Sequence, residues 1–369
     1  MYIKSLSTYN FRNLEDQSIF LCPSVNFIIG RNGQGKTNFI ESISLLSRGK
    51  SFRTNKNKEF IKIGAKEASI FSSVFEKDNE FSLGISLKEE GKEYFYNQDK
   101  VSSLKEYIGR LISITFSPDD LDLIKGGPQA RRNFIDKHIL DIKAGYLDLL
   151  FDYQRALKNK NRIIKTSAVI YKKEITPWNL ILCESGSKIM KERAQFINLI
   201  SPLADKYYKM FTEQEEKISL TMKNTKLNYS EIGEENFYQA LESNYEKEIS
   251  LKSSTVGVHR DEIEIKLSSR DSRIFASQGE TRSLVLALKL AVLDIIEAEK
   301  NTRPVLLLDD VDSELDAFRR NALMDIVFSK DRQIIITGTQ LGEFKQKNSL
   351  KFQVFRVCNG QVLREEFRD

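Results

Sequence analysis

Eight consecutive residues, Gly30-Arg31-Asn32-Gly33-Gln34-Gly35-Lys36-Thr37, fit the pattern G-x-x-x-x-G-K-[ST] without a mismatch. Each residue type has a task in that chemistry. The glycines let backbone N–H groups turn inward around a phosphate, and Lys36 supplies a positive charge for the β- and γ-phosphates. Thr37 offers a hydroxyl to Mg²⁺. A second chemical element lies far along the chain, where Val305-Leu306-Leu307-Leu308 runs into Asp309-Asp310. An apolar strand delivers Asp309 to its tip, where it can orient Mg²⁺ through water, and Asp310 is placed to polarise a water attacking the γ-phosphate. A third element, Ala276-Ser277-Gln278-Gly279-Glu280, precedes an apolar helix. Its residues read either as an ordinary capping box, Ser277 with Glu280, or as an anion site at the positive end of that helix.

These residues need particular elements to hold them. Val25 to Ile29 reads as a buried strand feeding the glycine loop, and Thr37 to Leu46 as a helix with Phe39, Ile40, Ile43 and Leu46 on one face. Ser69 to Asn97 alternates like hairpins, Ser283 to Glu299 has helical spacing, and Gln333 to Thr337 is a second fully apolar strand. Uninterrupted apolar strands indicate a parallel sheet covered on both faces. The middle of the chain is different. Ile135, Ile139, Ile142, Tyr146, Leu149, Tyr153 and Ala156 follow heptad spacing, which predicts one helix of about 35 residues from Ala130 to Lys165, about 50 Å long. Ser185 to Thr212 predicts a second, bent or broken at Pro202. The pair reads either as a helical hairpin arm or as two core helices of a helical lobe.

Composition narrows the function classes. With 369 residues, 40% apolar and 30% charged, the chain is large enough for two lobes and too rich in Phe and Tyr to be disordered. Cys22, Cys183 and Cys358 are widely spaced, and with only His138 and His259 they suggest neither a disulfide framework nor a Cys/His metal site. No apolar run approaches the ~18–20 residues of a membrane span, and the first residues do not read as a signal segment, so a cytoplasmic protein is expected. Net charge is +5, yet Arg155 to Met210 carries twelve Lys/Arg against four Asp/Glu, leaving the remainder slightly acidic.

Taken in this order and separation, the motifs resemble the ABC-type ATPase head of the SMC/Rad50 group, and within it the RecF family of bacterial recombination mediators. The resemblance rests on Asn10-Phe11-Arg12-Asn13, on Gly33 to Asn38 with Glu41, and on Gly49-Lys50-Ser51-Phe52-Arg53. It rests also on Phe116 to Leu121 running into Lys125-Gly126-Gly127-Pro128, and on Arg131-Arg132 with Phe134 and Asp136. Gly257-Val258-His259-Arg260-Asp261, Ser277-Gln278-Gly279-Glu280 and Ser313-Glu314-Leu315-Asp316 complete it. The G-x-H-R-D and K-G-G-P-x-x-R-R stretches are its narrowest signals.

The resemblance implies an α/β fold, a P-loop head with a parallel core sheet, an antiparallel β-subdomain and an inserted α-helical lobe. It divides the chain into an ATP-binding lobe from 1–115 and 295–369, and a mainly helical lobe from 116–294. It implies ATP and Mg²⁺ as cofactors, with Gly30 to Asn38 and Ser277 to Glu280 contacting nucleotide, Thr37 and Asp309 contacting metal, and Lys36 and Asp310 serving catalysis. Two copies would sandwich two ATP molecules, Ser277 of one touching the γ-phosphate held by Lys36 of the other. That dimer would clamp duplex DNA at gapped junctions, act with RecR and RecO so that RecA is loaded, serve recombinational repair and the SOS response at the nucleoid, and hydrolyse ATP slowly. The chain departs from ABC heads twice. Ser117-Pro118-Asp119-Asp120 stands where a Gln is usual, and Thr337-Gly338-Thr339 where a switch His is usual. Both departures disfavour a transporter ATPase, although other SMC/Rad50-like ATPases acting on DNA ends stay compatible. Arg48, Lys50, Arg53, Lys56 and Lys58, and the basic stretch containing Lys158, Lys160, Arg162 and Lys165, are the candidate DNA contacts.

Overall fold

A strand that alternates in burial covers one face of a sheet, and a strand that does not alternate is covered on both. The chain contains sheets of each kind. The structure, a computed structural model, describes all residues except Asn55, 167–171, 213–215, 312–314, 342–350 and 366–369. Two compact units are formed, one from 1–121 with 289–369 and one from 122–288.

In the first unit, β1 (Tyr2–Tyr9), β2 (Gln17–Phe20), β4 (Glu67–Glu76), β5 (Asn79–Lys88), β6 (Lys92–Tyr96) and β7 (Asp99–Lys100) make an antiparallel sheet of order β2-β1-β4-β5-β6-β7. Ala68, Ile70, Ser72 and Val74 of β4 alternate inward, as the hairpin reading requires. The other sheet has order β15-β14-β3-β13-β12-β8, built from β3 (Val25–Ile29), β8 (Ser113–Phe116), β12 (Val305–Leu308), β13 (Ile334–Gly338), β14 (Phe352–Cys358) and β15 (Gln361–Arg364). It is parallel except at β15, and β3, β8, β12 and β13 are buried along their whole length. Between these sheets lies α1 (Lys36–Arg48), whose Phe39, Ile40, Ile43, Leu45 and Leu46 belong to the same core as Ile3, Ile70, Ile28 and Leu307. The short α2 (Leu104–Tyr107) closes the antiparallel side by a bond from Tyr107 Oη to Leu46 O.

The second unit begins with α3 (Asp122–Lys125), α4 (Pro128–Ile142), α5 (Tyr146–Thr166) and α6 (Lys172–Phe211). The expected single helix from Ala130 to Lys165 is two helices. Lys143 is extended and Gly145 follows, so the chain turns before Tyr146. Conversely, α6 runs unbroken through Pro202. Pro202 and Asn198, whose carbonyl the proline leaves without its helical donor, both lie on the exposed side, where water can replace the lost bond. α5 packs along α6, which also contacts α4 and α7 (Glu234–Ser243), so these are core helices of a lobe. β9 (Ile218–Lys223), β10 (Glu262–Leu267) and β11 (Arg270–Asp271) form an antiparallel sheet beside α6. The short α8 (Tyr245–Leu251) and α9 (Ser272–Phe275) precede α10 (Gln278–Lys300), along which the chain passes back to the first unit.

The two narrowest motifs meet inside the second unit, where they build a polar knot. Arg193 of α6 is buried and grips Asp136 with two bonds of 2.8 and 2.9 Å, Asp261 at 2.6 Å and Val258 O at 2.8 Å. Asp261 also accepts from Asn224 and Tyr229, and Arg132 donates to its carbonyl. Arg131 makes a double bond to Glu262. Gly257 is obligatory here: its φ is +140°, and a Cβ would stand 2.0 Å from Tyr153 Oη.

His259 shows how dry this knot is. Its Nε2 faces the Ser254 carbonyl, which can only accept, so Nδ1 is the bare nitrogen that accepts from Tyr153 Oη at 2.7 Å. Burial lowers its pKa from 6.5 to about 4. Between those values the unfolded chain binds a proton that the folded chain refuses. Stability is therefore complete above pH 6.5 and falls as pH drops toward 4. Urea unfolding at pH 7 and pH 4.5 should show wild type losing about 2 kcal/mol more than His259→Gln over that interval. Equal losses would remove His259 as the cause.

Candidate functional site

Register brings the chemical residues together. Thr115 of β8, Leu307 of β12 and Ile335 of β13 are paired in a row. Leu307 and Ile335 belong to the core around α1. Two residues further along each strand path, at the carboxyl edge on that same face, come Ser117, Asp309 and Thr337. The glycine loop leaves β3 at this edge, and α1 starts there with its N–H groups toward the loop.

The loop has the shape an anion needs. Gly33 and Gly35 have φ of +80° and +118°, conformations that favour glycine and turn successive N–H groups to one side. No side chain caps α1 and its first turn holds no acid, so its positive end is left for a ligand. Lys36 is 4% exposed. Its ammonium folds across the loop to Gly30 O at 3.0 Å, with Arg31 O and Asn32 Oδ1 at 3.3 Å. Asp310 Oδ1 lies 4.0 Å away. Gln34 ties the loop to the turn between β14 and β15: its Oε1 accepts from Asn359 N at 2.6 Å and its carbonyl from Gly360 N at 3.0 Å.

Asp309 is almost buried, and its Oδ1 accepts from Thr37 Oγ1 at 3.2 Å and from Thr337 Oγ1 at 2.7 Å. Burial raises its carboxyl to about 6, the neighbouring Asp310 adds to that, and the two hydroxyls oppose it. A carboxylate that carries such a desolvation cost gains from a divalent cation beside it. Mg²⁺ is commonly held by one or two carboxylates with substrate phosphates, so Thr37 and Asp309 suit it. Asp310 is the departure from regular strand, with φ of +47°, and Thr337 Oγ1 accepts from its N–H at 2.9 Å. Thr337 thus bridges both acids. Sequence reasoning left it without a role, because nothing in Ile336-Thr337-Gly338 shows that its strand lies next to β12.

Sequence reasoning also gave no role to the buried Glu41 of α1. It accepts a double bond from Arg12 at 2.8 and 3.0 Å, and bonds from Ser51 at 2.5 Å and Arg53 at 3.3 Å. Arg53 reaches Asn38 Oδ1 at 2.8 Å, Asn38 reaches Asn13 at 2.7 Å, and Asn13 reaches Gly33 O at 3.4 Å. The N-F-R-N and G-K-S-F-R stretches thereby brace the loop.

In the second unit, the Ser277 loop forms the capping box. Glu280 N donates to Ser277 Oγ at 3.2 Å and Ser277 N to Glu280 Oε2 at 2.6 Å, at the start of α10. Ser277 and Gln278 are exposed, Gly279 and Glu280 partly so. Lys125 of the K-G-G-P stretch secures the preceding α9 through the carbonyls of Ser272, Arg273 and Ala276. Ser313 and Glu314 lie outside the described residues, and Asp316 caps α11 (Ala317–Phe328) through Arg319 N.

The basic candidates separate. Lys50, Lys56 and Lys58 are exposed, the last two near Glu59 and Glu89. Arg48 instead turns inward onto Ser113 O. Lys158, Arg162 and Lys165 face outward from α5, whereas Lys160 is fully buried in an ion pair of 2.7 Å with Glu248. Its place as a surface contact is therefore corrected: the helical period turns that one position of the four toward the core.

No described helix is long and apolar enough to cross a membrane. The family model described as RecF/RecN/SMC N terminal domain matches residues 2–361. "DNA replication and repair protein RecF" of Streptococcus agalactiae serotype V is 34% identical over 98% of this chain and 98% of its own. The protein of that name from Clostridium novyi is 36% identical over 98% and 99%. A solved structure of the recombination mediator protein RecF with ATP in the RecFOR pathway has TM-score 0.90 at 31% identity, covering 99% of this chain and 98% of that one. An Smc head bound to the C-winged helix domain of ScpA has TM-score 0.58 at 19% identity, covering 99% and 97%, and shares the fold.

Proposed function

Since the chain belongs to the RecF family, we propose that it is an ATP-dependent DNA-binding recombination mediator whose nucleotide joins two copies. The observation that carries the nucleotide half of this reading is the uncapped start of α1 facing a loop crossed by the Lys36 ammonium. Gly30 to Asn38 would surround the phosphates and Lys36 would balance their charge. Thr37 and Asp309 would hold Mg²⁺, which supplies charge neutralisation between the β- and γ-phosphates. Asp310 would orient the water whose oxygen attacks the γ-phosphorus and take its proton as ADP leaves. Slow turnover fits an acid held on Thr337 rather than aided by a histidine.

The joining half is supported by the exposed Ser277 loop, pre-shaped by its capping box. A nucleotide that touches Lys36 of one copy and Ser277 to Glu280 of the other favours the pair by its differential affinity for it. The paired form would hold gapped duplex DNA through backbone contacts with a steep salt dependence, and would work with RecO and RecR toward RecA loading. Lys50, Lys56, Lys58, Lys158, Arg162 and Lys165 are the outward-facing candidates for those contacts.

Sizing chromatography with and without ATP tests the reading. Wild type should shift to a dimer with ATP. Ser277→Arg should bind ATP with unchanged affinity and stay monomeric, because the serine acts on the other copy's nucleotide. Asp310→Asn should stay dimeric long after wild type has relaxed. An identical wild-type elution in both conditions would remove the sandwich.

A further inference from the structure

We propose that Ile63 is an apolar wedge that enters the base stack of bound DNA at its discontinuity. The proposal rests on the DNA-binding reading above and gives the preference for a gap a physical cause. Ile63 is 102% exposed, as open as in an extended chain, so folding makes no use of its side chain. A lone exposed apolar residue is ordinary on a protein surface. What sets this one apart is the turn that presents it and the charge around it.

The turn holds its side chain outward. Ala65 N donates to Lys62 O at 2.9 Å, and Gly64 has φ of +92°, the conformation that the third residue of a type II turn requires. Ile63 occupies the second position. A Cβ added at Gly64 would meet nothing within 4 Å, so nothing crowds the tip beside Ile63. The base of the turn is fixed. Lys62 N donates to Asn10 O at 2.7 Å, Arg12 N donates to Phe60 O at 2.8 Å, and Phe11 pairs with Ile61 between them. Phe60 is fully buried and stacks 6.2 Å from Phe11, with Arg12 and Lys92 over its ring at 5.3 and 5.1 Å. A tip held this firmly loses little freedom on binding. Its support continues to the phosphate loop, since Asn13 of the same stretch reaches Gly33 O.

The charge around the tip suits a polyanion. Residues 48–66 hold seven Lys/Arg and a single acid, Glu59. Lys50, Lys56, Lys58 and Lys66 are exposed, and Lys62 pairs with Glu15 at 3.1 Å. Lys56 meets Glu59 at 3.4 Å and Lys58 meets Glu89 at 3.8 Å, while Glu67, just beyond, meets Lys88. Such exposed pairs are weak, so phosphates can take the place of these acids. Among the lysines an isoleucine has nothing to offer a phosphate. The apolar surface that DNA presents lies between base steps, and apolar wedges inserted there unstack a step and kink the duplex. Unstacking costs least where pairing is already interrupted. A wedge therefore favours a gap over continuous duplex without reading any base.

The test uses full-length protein with the β,γ-imido analogue of ATP. The probe is a duplex with a single-stranded gap and 2-aminopurine at the pair bordering it, and an intact duplex of the same length is the control. Wild type should raise the emission on the gapped duplex, because 2-aminopurine brightens when unstacked. Ile63→Ser should lose most of that rise and weaken the gapped complex on the order of tenfold, leaving affinity for intact duplex and the salt slope unchanged. Ile63→Leu should keep the rise. Lys66→Ala should do the reverse of Ile63→Ser, lowering the salt slope by about one and keeping the rise. A wild-type rise in Ile63→Ser overturns the inference and leaves the tip to a protein partner. An equal loss of affinity for gapped and intact duplex overturns it too. If wild type binds neither duplex, the DNA-binding reading fails and the wedge with it.

Discussion

Lys36→Ala is expected to abolish nucleotide binding and, with it, the nucleotide-dependent dimer. The ammonium is buried at 4% exposure and is met by two carbonyls and one amide oxygen at 3.0 to 3.3 Å. These are modest partners for a full charge. Exchanging them for phosphate oxygens gives charge-assisted bonds worth about 1.5–3 kcal/mol each. Losing two such bonds weakens binding by roughly two to four orders of magnitude. The folded state should change little, because two of the three partners freed by the deletion belong to the exposed residues Arg31 and Asn32. Titration with a fluorescent ATP analogue reads the loss, and a thermal melt without nucleotide controls for folding. Lys36→Arg should not rescue, since a planar guanidinium cannot replace a compact ammonium inside so tight a loop. An affinity within threefold of wild type would mean that the loop binds no phosphate.

The second large effect concerns stability. Arg193→Ala removes the cation that Asp136 and Asp261 share in the interior of the helical lobe. Breaking a buried pair from one side leaves uncompensated charge and costs about 3–5 kcal/mol. Here two carboxylates lose their partner, and the Val258 carbonyl loses a donor as well. Arg193→Lys should recover little, because one ammonium cannot supply the double bond to Asp136 while still reaching Asp261. Denaturant unfolding should show the helical lobe melting first, with the nucleotide lobe following at its usual midpoint. A single transition unmoved by more than 1 kcal/mol would assign the knot to specificity rather than stability.

How much of this was legible depends on whether the signal is local. The glycine loop is legible because its function needs eight adjacent backbone positions, and spacing is all that adjacency requires. The apolar run ending in Asp309-Asp310 is legible for the same reason. Heptad spacing across Ala130 to Lys165 misled, since periodic side chains on both sides of a short turn can continue one pattern while the backbone does not. The break that Pro202 offered as one outcome is absent, and the helical bond it removes lies on the exposed side, where water can replace it. Lys160 was taken with its basic neighbours because charge counts carry no direction, whereas a helix turns successive residues by about 100°.

By itself the chain order determined the chemistry: an amine, a hydroxyl, two acids and a serine loop, on elements of the right kind. Tertiary structure alone decided their company. Thr337 reaches Asp309 and Asp310 because β13 pairs with β12, Glu41 is buried under two arginines, and Lys289 grips Asp120 across many intervening residues. Such pairings are set by strand register and by which faces bury, and those follow from the free energy of the whole core rather than from any window of neighbouring residues.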